Sequence, residues 1–107
     1  MATFETTARF EKDWADLDPA DKERFKRALR GFIADLATGK FRAGLRVKRV
    51  QGTQGVFEMT FAPDGRATWQ YGEELQPGLA HVIWRRIGTH DVLTRPPGPK
   101  PKESKQG

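Results

Sequence analysis

The spacing of apolar residues changes period along the chain, and the change divides it into a helical part and a strand part. Phe10, Trp14 and Leu17 fall at i, i+4 and i+7, which is one face of a helix. Thr6 or Thr7 stands where that helix needs an N-cap, with a hydroxyl to accept from an amide of the first turn. Asp18-Pro19 ends it, because proline disfavours the α conformation in the residue before it. The same pair starts the next helix, with Asp18 as N-cap and Pro19 at the first helical position. There Phe25, Ala28, Leu29, Phe32, Ile33 and Leu36 form a stripe at i, i+3, i+4, i+7, i+8 and i+11. Lys22, Lys26, Arg27, Arg30 and Asp35 lie opposite, so the spacing predicts an amphipathic helix on a core, stopped near Gly39. Gly31 inside it costs roughly 1 kcal/mol against alanine and reads as room for a close helix contact. Two helices broken by one short turn make an αα-hairpin.

From Leu45 the period becomes two, with Leu45 and Val47 alternating with Arg46 and Lys48. Residues 52–55 (G-T-Q-G) read as a turn. Residues 56–62 follow as a strand, with Phe57, Met59 and Phe61 on one face and Glu58 and Thr60 on the other. Pro63-Asp64-Gly65 predicts a hairpin turn with Gly65 at positive φ. The return strand alternates Ala67, Trp69 and Tyr71 with Arg66, Thr68 and Gln70. After a polar connection, residues 79–93 read L-A-H-V-I-W-R-R-I-G-T-H-D-V-L, an apolar strand that ends in two arginines and Gly-Thr-His. Residues 2–6 add a short strand anchored by Phe4. The order β-α-α-β-β-β predicts an α+β domain, an antiparallel sheet with a two-helix hairpin on one face.

Composition narrows this to one domain. The chain has 107 residues and no cysteine, so neither a disulfide nor a thiolate metal site is available. No apolar run approaches a membrane span and the N-terminus has no apolar h-region, so the expected location is cytoplasmic, with no membrane partner. The net charge is +5. Its excess falls after residue 39, and a basic face of this kind fits a polyanion. Residues 95–107 are rich in proline and lysine and read as a disordered basic tail behind a folded domain of residues 1–94.

The candidate chemistry is restricted. Ser104 is the only serine and lies in the tail, which excludes a Ser-His-Asp hydrolase. His81 and His90 are the only histidines, and no zinc-protease, P-loop or dinucleotide motif is present. The residues that remain suit one reaction, cleavage of RNA by its own 2′-hydroxyl without metal or cofactor. That reaction needs a base, an acid, and cations for the charge that develops at phosphorus. Histidine carries protons near neutral pH, and arginine offers a planar fork to phosphate oxygens.

Four segments, in order, carry a resemblance to a known family. They are F-E-K-D-W-A-D-L with Trp14, then L-R-V-K-R-V, then V-F-E-M-T-F-A-P-D-G-R-A-T-W-Q-Y, then W-R-R-I-G-T-H-D-V-L. Over residues 2–94 the chain resembles the RelE/ParE toxin superfamily of bacterial type II toxin–antitoxin modules. The closing R-x-G-T-H-x-x-L is most similar to the YafQ-type branch. The resemblance implies a β-α-α-β-β-β domain. From the RNase members it implies a ribosome-bound mRNA interferase that inhibits translation and is held inactive by a cognate antitoxin.

Carried over by position, Arg86 and His90 match the branch's catalytic arginine and histidine, and Asp64 matches its acidic residue. Arg66 resembles the arginine that opens the third strand in RelE-type members. Arg46 and Lys48 resemble residues lining the RNA path, to which Arg49 and Arg85 are added as RNA-binding candidates. Glu58 and Thr60 depart from the pattern, standing where RelE-type enzymes have two basic residues. Thr60 also replaces a histidine of the YafQ-type branch, and Thr94 stands where an aromatic is expected. Glu58 thereby becomes a candidate base. The alternative is a non-catalytic or degenerate toxin that binds a protein such as gyrase, as ParE-type members do. A third reading is a basic binding module without toxicity.

Each of these residues also has a purely structural reading. His90 reads as a surface residue after a strand, and Arg86 as paired to a carboxylate such as Asp91. Asp64 reads as turn chemistry, and Glu58 with Arg66 as a cross-strand ion pair. His81 reads as structural. Trp14, Trp69 and Trp84 read as core or antitoxin-contact residues.

Overall fold

The computed structural model describes residues 2–94. The basic tail expected over residues 95–107 lies outside the described residues. The elements are β1 (Thr3–Thr6), α1 (Ala8–Asp16), α2 (Pro19–Leu36), a 3₁₀ turn (Ala43–Leu45), β2 (Lys48–Arg49), β3 (Val56–Ala62), β4 (Gly65–Tyr71), β5 (His81–Thr89) and α3 (Asp91–Thr94). Five strands form one sheet in the order β1-β5-β4-β3-β2. Strands β2 to β5 are antiparallel neighbours, as the alternating pattern requires. β1 runs parallel to β5, so the sheet as a whole is mixed rather than antiparallel. A parallel pair needs a long crossover, and here both helices and three strands of chain supply it.

The helix boundaries follow the capping residues. Thr7 Oγ1 accepts from the Phe10 amide at 3.1 Å, and Asp18 Oδ1 accepts from the Ala20 amide at 2.9 Å. Pro19 occupies the first helical position of α2. The helices cover one face of the sheet. Phe10, Phe25, Phe32 and Leu36 are buried there against Met59, Phe61, Ala67, Trp69, Val82, Trp84 and Ile87. Phe32 meets Trp69 edge-on at 5.0 Å and Trp84 at 5.1 Å between ring centroids. Trp69 and Trp84 are thus core residues, while Trp14 is half-buried with Lys22 Nζ 5.6 Å over its ring. Ile33, expected on the core stripe, is exposed.

Four local expectations are corrected. Leu45 and Arg46 do not open a strand. Leu45 ends the 3₁₀ turn, and Arg46 takes the left-handed conformation at φ 49°, which leaves β2 only two residues. Gly65 is not at positive φ. It is required for space instead, since a Cβ there would lie 2.6 Å from Phe61 Cε1. Gly31 makes room for the Arg42 guanidinium rather than for a second helix, with Arg42 Nη1 2.9 Å from where a Cβ would stand. In β5 the buried apolar residues are Val82, Trp84 and Ile87, which strict alternation would not give. The β4–β5 register steps between Thr68↔Arg86 and Trp69↔Trp84, leaving Arg85 as the extra residue of a β-bulge. The bulge keeps Trp84 and Ile87 on the same, helix-covered face.

Candidate functional site

The sheet brings two candidates to one tip. Asp64 sits in the β3–β4 turn and His90 directly after β5. Asp64 Oδ1 accepts from the His90 backbone N–H at 3.4 Å, joining residues 26 positions apart. Both side chains are exposed. Arg66 belongs to the same tip, since its backbone pairs with Thr60 on one side and Gly88 on the other. Its Nη1 donates to the carbonyl oxygens of Gly65 (3.0 Å), Ala62 (3.4 Å) and Pro63 (3.4 Å). Its Nε lies 3.9 Å from Glu58 Oε1, so the cross-strand ion pair read from the sequence is present. Glu58 is buried, and its register partners are Lys48 and Thr68.

Arg86 is directed elsewhere. Its Nε and Nη2 donate to the two carboxylate oxygens of Asp13 at 3.0 and 3.2 Å. Asp13 also accepts from the Ile87 amide at 3.2 Å, and Arg9 Nε approaches it to 3.5 Å. The carboxylate partner of Arg86 is therefore on α1 rather than Asp91. This cluster lies in a cleft of about 620 Å³ whose walls include Asp16, Asp18, Asp21 and Asp91 as well as Arg9 and Arg86. Arg85 is likewise engaged. Its guanidinium donates to Gln70, Thr7 donates to its carbonyl at 2.9 Å, and its Nε is buried without a partner. Of the RNA-path candidates, Arg46, Lys48 and Arg49 are exposed.

A second cavity, of about 700 Å³, opens between α2 and the β3–β4 hairpin. β2 pairs only with Phe57 and Glu58, so the β3 edge at residues 60–62 has no strand beside it, and the cavity lies along that edge. Arg24, Arg27, Arg42, Arg46 and Arg66 line it, with no carboxylate in its walls. The helical spacing puts Arg27 on a solvent face, and no motif in the sequence singles out Arg24 or Arg42. The one available signal was Gly31, whose missing side chain admits Arg42. Asp35 accepts from Arg42 Nε at 2.7 Å, from Nη2 at 2.9 Å and from the Arg42 amide at 2.8 Å. The side-chain hydrogen bond from Arg42 is the main reason the Asp35 carboxyl is held down to about 2, and it raises Arg42 in turn.

The remaining histidine is structural, as read. His81 is buried, its Nε2 bonds Glu5 Oε1 at 2.7 Å, and its Nδ1 lies 2.7 Å from Thr3 Oγ1. Among the described residues, no group of three or more His, Cys, Asp or Glu side chains is placed to hold a metal ion. No helix among them is long and apolar enough to cross a membrane.

No family model matches the chain, and no curated protein matches it in sequence. Solved structures do. A copper-bound mutant toxin from Helicobacter pylori superposes with a TM-score of 0.62 at 17% identity, covering 87% of this chain and 99% of that one. The toxin YafQ in the E. coli DinJ–YafQ toxin–antitoxin complex gives 0.59 at 20% identity, covering 86% and 96%. RelE in the RelB–RelE antitoxin–toxin complex of Methanococcus jannaschii gives 0.55 at 13% identity, covering 83% and 93%. The bulged meander, the helical hairpin and the parallel first strand together make a RelE/YafQ-type toxin fold.

Proposed function

We propose that this protein is the toxin of a toxin–antitoxin pair and an endoribonuclease that cleaves mRNA without a metal and so stops translation in the cytoplasm. The observation that carries the reading is the tip where Asp64 binds the His90 backbone beside Arg66. Strand scission by the 2′-hydroxyl needs a proton acceptor, a proton donor to the leaving 5′-oxygen, and fixed positive charge at the phosphate. His90 is the proton carrier. Asp64 holds the backbone that carries it, and Arg66 supplies charge from the hairpin. Glu58 is the candidate base, and it must exchange its contact with Arg66 to act. Arg86 joins the site only by exchanging Asp13 for a phosphate oxygen, a swap its bidentate fork suits. Antitoxins accompany YafQ and RelE in the structures compared above, and the same class of partner is proposed here.

The pairing of Arg86 with Asp13 and of Glu58 with Arg66 also favours a second reading, a non-catalytic toxin that binds a protein target such as gyrase. Induced expression followed by 5′-end mapping of transcripts separates the two. New mRNA ends, lost in His90→Ala, support the endoribonuclease. Growth arrest without new ends favours the second reading.

A further inference from the structure

The five-arginine groove is not needed for proton transfer at the tip, yet it gathers five guanidinium groups around one cavity with no carboxylate in its walls. Three of its arginines are steadied by carboxylates that stand outside the groove: Arg24 by Asp21 at 2.7 Å, Arg42 by Asp35 at 2.7 Å, and Arg66 by Glu58 at 3.9 Å. The other two, Arg27 and Arg46, are exposed, and their side chains make no hydrogen bond or ion pair among the described residues. Arg46 is also the one non-glycine residue at positive φ among them. Among the described residues no hydrogen bond or ion pair of its side chain offsets that backbone strain, which is the pattern of a residue held for a ligand.

We infer that this groove is a track for the phosphodiester backbone of the RNA strand, leading away from the tip through Arg66, with Arg27 and Arg46 as its two open grips. The ligand named here rests on the endoribonuclease reading; the groove's charge and geometry do not. Guanidinium forks match phosphate oxygens, and the wall between them is mostly small or apolar (Ala28, Gly31, Leu45, Phe61 and Ala62), with Thr60 the one side-chain hydroxyl along it. Contacts through the arginines alone carry no sequence information. An acidic protein segment fits less well. Such partners anchor through large apolar side chains, and none of the exposed large hydrophobics (Phe4, Ile33, Tyr71 and Leu75) lines the groove. The path also differs from one over the sheet face, since Arg85 is tied to Gln70.

The test uses a single-stranded 2′-O-methyl RNA oligonucleotide, which binds without being cut, and fluorescence anisotropy of the full chain across a salt series. Arg27→Gln and Arg46→Gln should each weaken binding several-fold and each lower the slope of log K against log salt by about 0.7, the value for one phosphate contact on a single strand. Arg27→Glu should weaken it further. Arg30→Gln, on α2 but outside the groove, should stay within about twofold of wild type, as a cation away from the track should. Thermal melts of each variant confirm folding. Unchanged RNA affinity in both Arg27 and Arg46 variants overturns the inference. So does a polyglutamate peptide that binds the groove while the RNA binds elsewhere. If groove-dependent RNA binding is found but expression yields no new mRNA ends, the track stands and the cleavage reading falls. New mRNA ends with Arg27- and Arg46-independent binding give the converse.

Discussion

The sheet has two edges that outrun their neighbouring strands, and the chain finishes them in opposite ways. On one side β1 pairs with β5 only as far as Trp84. The exposed stretch beyond is closed by α1, with Thr7 bonding the carbonyls of Trp84 and Arg85 and Asp13 bonding the Ile87 amide and the Arg86 guanidinium. On the other side the β2 pairing stops at Glu58, and among the described residues no helix side chain is hydrogen-bonded to the β3 edge that follows. Arginines stand around the gap instead. The two cavities that result have similar volumes, about 620 and 700 Å³, and opposite charge. An arginine that is half-buried and bonded twice to one carboxylate, such as Arg86, holds the fold. An arginine that is exposed and unbonded beside a bare edge, such as Arg27, is available to a ligand.

That contrast can be broken most strongly at Asp13. Asp13→Ala removes the acceptor for Arg86 and for the Ile87 amide in a site where both side chains are nearly buried. A loss of about 3 kcal/mol is expected, the scale seen when one partner of a buried pair is deleted. Arg27→Gln in the groove should cost under about 0.5 kcal/mol, as exposed substitutions do. Urea unfolding of the two variants measures both, and equal losses would erase the distinction between the edges.

His90→Ala comes next, with its large effect on a different axis. Cleavage should fall by roughly 10²- to 10⁴-fold, the range for a lost proton carrier. Stability should stay within about 0.5 kcal/mol because the side chain is exposed. A melt that drops with activity would make His90 structural.

Gly31→Ala probes the groove wall. Helix propensity favours alanine by about 1 kcal/mol, while the new Cβ must displace the flexible end of Arg42. The expected net effect is a small stabilisation of under about 1 kcal/mol, with Arg42 moved off Asp35. NMR of the Asp35 carboxyl reads that movement directly. In the wild type its midpoint lies at about 2 instead of the ordinary 3.8, so the pair contributes stability that is present above pH 3.8 and lost as pH falls through about 2. Because the pair is exposed, the effect on global stability is small. Arg42→Ala should return the midpoint to the ordinary carboxylate range. A wild-type midpoint already in that range would mean the pair does not form.

Periodicity and capping made the helices readable. The Asp18-Pro19 boundary and the Thr7 cap are local chemistry, and both stand where the sequence places them. The hairpin strands were readable for the same reason, since alternation of Met59 with Glu58 and Thr60 needs no knowledge of what lies across the sheet. The parallel pairing of β1 was not readable, because nothing in four residues states which strand will receive them. The bulge at Arg85 was hidden likewise, although the three-residue step from Trp84 to Ile87 was its trace. Asp64, His90 and Arg66 are candidates through a resemblance in motif order and Glu58 through a departure from it, and the structure brings Asp64 to His90 and Glu58 to Arg66. The partner of Arg86 was not legible, since Asp13 lies 73 residues away on another element. The groove is not legible in the sequence because its arginines come from α2, from the two flanks of the 3₁₀ turn and from β4. Only tertiary packing gathers them.

The central claim is strand scission by the RNA's own 2′-hydroxyl at the Asp64–His90 tip, and the chemistry of the new ends tests it most directly. Transcripts recovered after induction should carry 5′-hydroxyl ends at the new sites, matched by 2′,3′-cyclic phosphates upstream, and both should vanish in His90→Ala. New ends bearing 5′-phosphates, or ends that persist undiminished in His90→Ala, would contradict the account.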